Sequence, residues 1–250
     1  MAKLAVQSYC FREFKDNARV AALVGELGLD AIELCAVHCD FAKPEGFEAA
    51  LAAYRSAGVR IVSIGVQTFR NEPEKEANYF KFARLAGARV MSANFRPGDW
   101  PDGVLAAGRM AEEHDVNLAI HNHGGGHWLG SSQMLEAVFA KAGPRIGLML
   151  DTAWALDAGE DPVKMAAKFA ARLRGVHIKD FVFDRTGRHK DVVVGTGNLD
   201  LPGLFKVLKE SGFAGELILE YEGDVKDPVP ALKECRSEEH TSELQSRQVI

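Results

Sequence analysis

Short apolar runs alternate with amphipathic helical patterns along most of the chain. The runs are rich in Val, Ile, Leu and Ala, a composition typical of buried strands. Eight such runs occur, at 4–9, 30–35, 59–66, 88–95, 116–122, 145–151, 173–180 and 215–222. Helical periodicity fills the intervals, for example at 17–28, 47–58, 74–87 and 201–212. Eight strands that alternate with helices predict an α/β fold in which a parallel sheet closes into a (β/α)8 barrel.

Glycine marks the end of four predicted helices. Gly28, Gly58, Gly87 and Gly212 each follow the last helical turn, where a left-handed residue is favoured. An open doubly wound sheet is the alternative arrangement, but it usually has a glycine-rich phosphate loop after its first strand. Here the first run leads into residues 9–12, which contain no glycine. The sequence therefore favours the closed barrel.

The composition fits a single domain without a membrane or nucleic-acid partner. A chain of 250 residues that is 47% hydrophobic can bury a large core, as single-domain barrels of this size do. The formal net charge of −5 provides no basic field for nucleic acid or an anionic membrane. No apolar stretch reaches the roughly 20 residues needed to cross a bilayer, and no signal-peptide core precedes the first strand.

The cysteines favour a reducing compartment. They stand at positions 10, 35, 39 and 235, a spacing that does not form a disulfide framework. Free thiols in the cytoplasm are the simpler interpretation. We therefore expect a cytoplasmic protein that acts on a small molecule, and a homo-oligomer is compatible with the sequence.

The segment 236–250 departs from the barrel pattern. It reads RSEEHTSELQSRQVI, is polar, and begins where the eighth helix should continue. It resembles the translation of sequencing-adapter read-through. We predict that the barrel domain spans 1–235, that its last helix is truncated, and that 236–250 is a non-native tail without a role in the site.

Four successive strands in the second half end on side chains that can bind a metal. They lead to His121 with His123, to Asp151, to His177 and to Glu220. The first three are spaced by about one βα unit of roughly 25–35 residues, whereas the last interval is longer and predicts an insertion. Because the C-terminal ends of barrel strands meet at one mouth, we expect these side chains to converge there. Imidazole and carboxylate groups suit a divalent ion such as Mn, Zn, Co or Mg.

Several motifs resemble a known family. LAIHNHGG, LMLDTAW, GVHIKD, LILEYE and the long stretch VVVGTGNLDLPGLFKVLKESGFAG are similar to the sugar phosphate isomerase/epimerase family of xylose-isomerase-like TIM barrels. The likeness covers roughly residues 3–234, and its most specific parts are Gly-x-Gly-x-Leu/Val-Asp and His-x-Lys-Asp. It implies a (β/α)8 TIM barrel that acts on sugars, keto-sugars or polyols as an isomerase, epimerase, dehydratase or lyase.

The resemblance also implies one divalent ion per chain. The family ligands are a carboxylate on the fifth strand, Asp on the sixth, His on the seventh and Glu on the eighth. Asp151, His177 and Glu220 match the last three, but His121 stands where many members have glutamate. We predict that His121 is the fourth ligand. The exchange removes one carboxylate, and with it one of the two glutamates that a symmetric mechanism needs.

The predicted chemistry is proton abstraction beside a carbonyl. An ion that polarises a hydroxy-ketone acidifies the adjacent C–H, and a base then yields a metal-stabilised enediolate. Glu220 is the leading base, His123 is the second, and Lys179 can hold a substrate oxygen or stabilise charge. The expected activity is a sugar isomerase or epimerase, with an inosose or 3-keto-sugar dehydratase as the alternative.

Further side chains are candidates for contacts with a carbohydrate. Glu33, at the end of the second strand, is placed to bind a sugar hydroxyl, and His123 is placed beside the ligands. Trp128 and Trp154 follow strand ends and can stack on a sugar, or else cover seams between barrel and helices.

The sequence allows three other interpretations of these residues. Asp151 alone can be a helix N-cap, and His177 alone can be a satisfied core histidine. Apurinic endonucleases share the barrel, but they carry a His where this chain has Trp154, and the loop at 188–191 lacks their Asp-x-His order. A metal-free binding barrel is the third alternative, which ion analysis of purified protein would distinguish.

Overall fold

The computed structural model describes residues 4–237, which form ten strands and nine α-helices. The strands are β1 Leu4–Gln7, β2 Ala31–Leu34, β3 Arg60–Phe69, β4 Val90–Phe95, β5 Asn117–His121, β6 Ile146–Asp151, β7 Leu173–Ile178, β8 Asp180–Phe183, β9 His189–Val192 and β10 Glu216–Leu219. The helices are α1 Asn17–Glu26, α2 Phe47–Ser56, α3 Pro73–Ala86, α4 Asp102–Glu113, α5 Ser132–Phe139, α6 Thr152–Asp157, α7 Pro162–Lys168, α8 Leu201–Glu210 and α9 Val229–Arg236.

Eight of the strands close into a parallel barrel. Their order around the barrel is β1-β10-β7-β6-β5-β4-β3-β2, so neighbours in space are also successive in the chain apart from the inserted β8 and β9. Each barrel strand falls within a run predicted from the sequence or overlaps it. The predicted (β/α)8 fold is therefore confirmed.

The two remaining strands form a hairpin outside the barrel. β8 and β9 pair antiparallel, with Asp180 opposite Val192 and Phe183 opposite His189. The hairpin follows β7 directly, so it stands at the C-terminal end of the barrel. It occupies the long interval between His177 and Glu220 that predicted an insertion.

Local signals define the helix ends. The four predicted helix-ending glycines all have positive φ, between 65° and 77°. At the other end, Asp16 begins α1 by accepting a hydrogen bond from the backbone of Ala18, and Asp200 begins α8 in the same way from Gly203. These caps and glycines explain why the helix positions could be predicted from the sequence.

Apolar side chains form two layers. The larger one lies between the strands and the surrounding helices and includes phenylalanines such as Phe69, Phe80 and Phe95. The smaller one lies inside the barrel and consists of Ala5, Ala31, Val62, Ala119, Met149 and Ile218. This inner layer closes the interior, so the barrel is a packed core and not a pore.

The last described helix reaches one residue past the predicted domain boundary. α9 includes Arg236, whose guanidinium donates to the carbonyl oxygen of Leu27 at 2.5 Å. Of the predicted tail, Arg236 and Ser237 are described, and 238–250 lie outside the described residues. Among the described residues no helix is long and apolar enough to span a membrane.

Candidate metal centre

A layer of polar side chains lies directly above the inner apolar layer. Side chains along a strand alternate, so residues i and i+2 both face the barrel interior. Ala119 and Met149 belong to the apolar layer, and His121 and Asp151 stand two residues further along the same strands. The buried members of the polar layer are Gln7, Glu33, His121, Asp151, His177 and Glu220.

Four of these side chains present a nitrogen or oxygen atom to one small region. The ligand atoms of His121, Asp151, His177 and Glu220 all lie within 4.8 Å of one another. His121 Nε2 is 3.0 Å from His177 Nδ1 and 3.4 Å from Asp151 Oδ2. Glu220 Oε2 is 2.8 Å from His177 Nδ1. The structure thus brings together the four residues that the sequence placed at strand ends.

These atoms fit a divalent ion. Nitrogen and oxygen ligands lie about 2.0–2.2 Å from a tetrahedral zinc ion, which puts neighbouring ligand atoms about 3.3–3.6 Å apart. Three of the observed separations are 2.8, 3.0 and 3.4 Å, from about 0.5 Å below this range to within it, and all four atoms lie within 4.8 Å of one another. Asp151 Oδ2 is buried and has no hydrogen-bond partner within residues 4–237. Two carboxylates also balance a 2+ charge, so this cluster can hold one divalent ion.

Asp151 uses its two oxygens differently. Oδ1 accepts a hydrogen bond from the backbone of Trp154 at 2.8 Å, which is the N-cap of α6. Its backbone is fixed by Asn122, whose side chain exchanges two hydrogen bonds of 2.8 Å and 2.9 Å with it. Oδ2 remains for an ion. The helix-cap and ligand interpretations are therefore compatible in the same side chain.

His177 stands between two carboxylates. Its Nε2 is 2.9 Å from Glu33 Oε1, on the side away from the other ligands. Burial lowers the pKa of His177, but the carboxylates of Glu33 and Glu220 outweigh it and raise this pKa to about 10. A carboxylate behind a metal-binding histidine fixes the ring orientation. Glu33 is placed to do this here.

The placement of Glu33 differs from the predicted sugar contact. The side chain is fully buried, and Oε1 also accepts a hydrogen bond from Gln7 at 2.5 Å. Oε2 accepts one from Ser92 at 2.7 Å. Burial raises the pKa of Glu33, but attraction to His177 and the hydrogen bonds leave it lowered overall. Because both oxygens are occupied inside the barrel, positioning of His177 suits Glu33 better than binding a sugar hydroxyl.

Lys179 is a buried cation beside the four candidate ligands. Its Nζ contacts Glu222 Oε1, lies 3.5 Å from Glu220 Oε1, and lies 3.7 Å from Asp191 Oδ2. Burial lowers the pKa of Lys179, but the surrounding carboxylates, Glu220 foremost, raise it overall. The lysine is thus held as an ammonium ion, suited to stabilising negative charge rather than to accepting a proton.

Glu220 is influenced by both neighbouring cations. Burial raises the pKa of Glu220, but Lys179 and His177 outweigh it and hold this pKa well below its usual range. Its Oε1 lies 3.5 Å from Lys179 Nζ, and its Oε2 lies 2.8 Å from His177 Nδ1. The two carboxylate oxygens therefore face different partners.

The aromatic candidates lie in two places: His123 and Trp154 lie beside the candidate ligands, and Trp128 lies over the end of β4. The ring centre of His123 is 4.6 Å from that of His121 and 5.8 Å from that of Trp154. Burial, with His121, lowers the pKa of His123 to about 3. Trp154 also lies 5.3 Å from Lys179 Nζ. Trp128, in contrast, donates Nε1–H to the carbonyl oxygen of Phe95 and covers the end of β4.

The two most specific motifs are joined by one aspartate. The Asp of His-x-Lys-Asp is Asp180, and its Oδ2 accepts from the backbone of Gly195 and Gly197 at 3.0 Å and 2.9 Å. Its Oδ1 accepts from Leu199 at 2.9 Å. A Cβ at Gly197 would lie 2.4 Å from Asp180 Oδ1, so glycine is required there. These motifs fix the loop after the hairpin and leave His177 and Lys179 for the site.

Sequence reasoning missed some residues at this centre. Gln7 ends β1 and stands two residues after the interior Ala5, so the alternation of side chains along the predicted run could have identified it. Asp191 was not identified, because it stands in the inserted hairpin, outside the strand-end pattern. Burial raises the pKa of Asp191 to about 7, despite the attraction of Lys179.

The fold and this cluster define a (β/α)8 barrel with a candidate metal centre at the C-terminal mouth. The chain belongs to the xylose isomerase-like TIM barrel family, whose model matches residues 98–240. The family resemblance inferred from the motifs is therefore confirmed.

Two relatives with known names are similar to about half of this chain. Rhizopine catabolism protein MocC of Rhizobium meliloti is 31% identical over 138 residues, 50% of this chain and 42% of that protein. Inosose dehydratase of Clostridium beijerinckii is 26% identical over 147 residues, 52% of this chain and 49% of that enzyme. The match thus spans about half the length of these relatives.

A solved structure shares the whole fold. It is a xylose isomerase-like TIM barrel protein from Mycobacterium smegmatis in complex with magnesium. The TM-score is 0.77 at 18% identity, with 98% of this chain and 97% of that chain covered. At this identity the likeness concerns the fold.

Proposed function

We propose that the protein is a divalent-metal-dependent dehydratase that acts on a keto-polyol of the inosose type. The observation that carries the proposal is the buried set of His121, Asp151, His177 and Glu220 on four neighbouring barrel strands, with Asp151 Oδ2 unpartnered among residues 4–237. These four residues would hold the ion. The names of the relatives support the substrate class.

The first step is removal of a proton from the carbon beside the substrate carbonyl. When bound, the ion supplies positive charge that polarises this carbonyl and acidifies the adjacent C–H. Glu220 is the base, because among residues 4–237 its Oε1 has no polar contact shorter than the 3.5 Å one with Lys179 Nζ. Lys179 keeps its positive charge beside the oxygen that becomes negative. Loss of the β-hydroxyl from the resulting enediolate completes the dehydration.

The asymmetry of the site supports dehydration over a symmetric proton shuttle. A shuttle between two glutamates needs a carboxylate on both sides of the substrate, and here β5 ends at His121 and is followed by His123. Elimination needs only one base on the carbon and a separate acid for the leaving hydroxyl. This requirement is compatible with a carboxylate base on the β10 side of the centre and none contributed from the β5 side.

Solvent exchange tests the proposal. Purified protein loaded with Mn²⁺ or Zn²⁺ is incubated with an inosose in D₂O, and deuterium at the α-carbon and loss of water are measured. We expect both to depend on the metal and to fall by about 100-fold or more in Glu220→Gln, assayed at saturating metal. Glu76→Gln is a matched control, since Glu76 is a buried glutamate of α3 that accepts hydrogen bonds from the backbone N–H groups of Arg70 and Glu72.

Two outcomes would refute the proposal. One is normal turnover by Glu220→Gln. The other is metal-dependent cleavage of abasic DNA without any sugar activity. Within residues 4–237, the four ligands form the one cluster that can hold an ion, which does not support the three-metal centre of the apurinic endonucleases.

Isomerisation or epimerisation is the second candidate. In the barrel order β10-β7-β6-β5, Glu220 follows the strand at one end of the ligand set and His123 follows the strand at the other. Two proton-carrying groups that flank the centre are what an epimerase needs. An epimer that carries deuterium and disappears in His123→Gln would favour this activity over dehydration.

A further inference from the structure

A histidine–aspartate pair stands in the wall of the same mouth and has no role in the steps above. His189 begins β9 of the hairpin, and its Nδ1 is 2.8 Å from Asp157 Oδ1 at the end of α6. The Asp157 side chain is 13% exposed and that of His189 is 36% exposed, so the aspartate is mostly covered and the histidine reaches solvent.

The imidazole of His189 is held on several sides. Its ring stacks on Phe181 with centres 4.3 Å apart and 6° between the planes. The edge of Trp154 meets it at 5.0 Å and 87°. With Nδ1 bound to Asp157, the ring has a defined orientation. No hydrogen bond to its Nε2 occurs among the described residues.

Gly124 leaves room for the side chain of Asp157. A Cβ at Gly124 would lie 2.0 Å from Asp157 Oδ2, so only glycine allows this approach. A carboxylate bound to Nδ1 keeps the proton on that nitrogen and makes Nε2 the atom that exchanges protons. The arrangement is that of an oriented acid–base histidine.

Trp154 connects this pair to the metal centre. Its backbone binds Asp151, and its ring contacts His123, Lys179 and His189. His189 therefore lies across a single aromatic ring from Lys179. For His189 to protonate a hydroxyl of a cyclic polyol, the polyol must extend from the metal centre past this indole ring, which contacts both Lys179 and His189.

We propose that His189, oriented by Asp157, is the acid that protonates the leaving β-hydroxyl. This inference rests on the proposed dehydration. Glu220 takes the α-proton, the C=C bond forms, and the C–O bond at the β-carbon breaks. The oxygen leaves with the electron pair of that bond and takes the proton from Nε2 of the imidazolium, so the products are water and neutral imidazole.

The test separates C–H cleavage from departure of the hydroxyl. Metal-loaded His189→Gln is compared with wild type on an inosose and on its β-fluoro analogue, since fluoride is a far weaker base than hydroxide and leaves without an acid. We expect water loss to fall by about 100-fold. Deuterium exchange at the α-carbon and fluoride release should stay close to wild type.

Matched variants control for a structural effect. Asp157→Asn keeps the side-chain shape and should lower water loss in the same selective way as His189→Gln. Lys190→Gln, at the exposed neighbouring position of β9, should leave all three rates unchanged. The contrast assigns any selective loss to the pair and not to the hairpin as a whole.

Three outcomes would overturn the inference. Undiminished water loss in His189→Gln excludes an acid at this position. An equal fall in exchange, water loss and fluoride release assigns the pair a structural role. A wild-type protein that shows neither exchange nor water loss on the inosose removes the proposed function, and with it this role for His189.

Discussion

Replacement of Glu33 by glutamine should weaken metal binding although Glu33 is not a ligand. Glu33 Oε1 binds His177 Nε2 at 2.9 Å, and the side chain is fully buried, so its charge is little screened by water. Glu33→Gln keeps the size and one acceptor oxygen but removes the charge. The bond to His177 then becomes an ordinary neutral hydrogen bond, and the orientation of the imidazole is less firmly fixed.

The expected loss of metal affinity follows from the type of hydrogen bond that is replaced. Hydrogen bonds to charged groups contribute about 1.5–3 kcal/mol and neutral ones about 0.5–1.5 kcal/mol, so the variant loses about 1–1.5 kcal/mol. Because 1.4 kcal/mol corresponds to a tenfold change in affinity, metal binding should weaken about tenfold. This value lies at the lower end of the roughly 10–100-fold losses found for such partners of metal-binding histidines.

Competition with a chromophoric chelator measures this change directly. Zn²⁺ and Mn²⁺ affinities are determined for wild type, Glu33→Gln and the control Glu76→Gln, with circular dichroism to confirm the fold. Glu76 is also a buried glutamate, but it binds the backbone of Arg70 and Glu72. Its variant should lose stability and keep its metal affinity. Wild-type affinity in Glu33→Gln, or equal losses in both variants, would refute the reasoning.

Three further variants test the site and the tail. Asp151→Asn should abolish stoichiometric metal by elemental analysis while the melting temperature stays near wild type, since Asn caps a helix as well as Asp does; full occupancy would contradict a ligand role. His121→Glu should retain metal and shift preference toward harder ions such as Mn²⁺, measured by competition, because oxygen is a harder donor than imidazole. Truncation after Arg236 should leave the melting temperature unchanged, and a drop of several degrees would show that the tail supports the barrel.

The sequence by itself determined the fold and the four candidate ligands. Strand composition, helix periodicity and helix-ending glycines are local signals, and the structure reproduces them at nearly the same residues. The ligands were predictable because a barrel brings the C-terminal ends of its strands to one mouth. His121, Asp151 and His177 each end an apolar run or lie near its end, so position along the chain was sufficient.

Only the tertiary structure decided how these residues are supported. Glu33 and His177 are 144 positions apart, and no local pattern pairs them. The sequence suggested a sugar contact for Glu33, whereas its oxygens lie against His177, Gln7 and Ser92 inside the barrel. Which atoms a buried side chain faces depends on the register of strands that are distant in the sequence. No single segment of the sequence determines that register.

The contacts of the inserted hairpin could not be predicted from the sequence either. The long interval between His177 and Glu220 indicated an insertion. The sequence did not indicate that this insertion is a hairpin that folds back over the mouth. Asp191 approaches Lys179, and His189 approaches Asp157, only because β8 and β9 pair antiparallel beside α6. Contacts of this kind arise from the packing of one loop against another, so they appear only once the whole barrel is assembled.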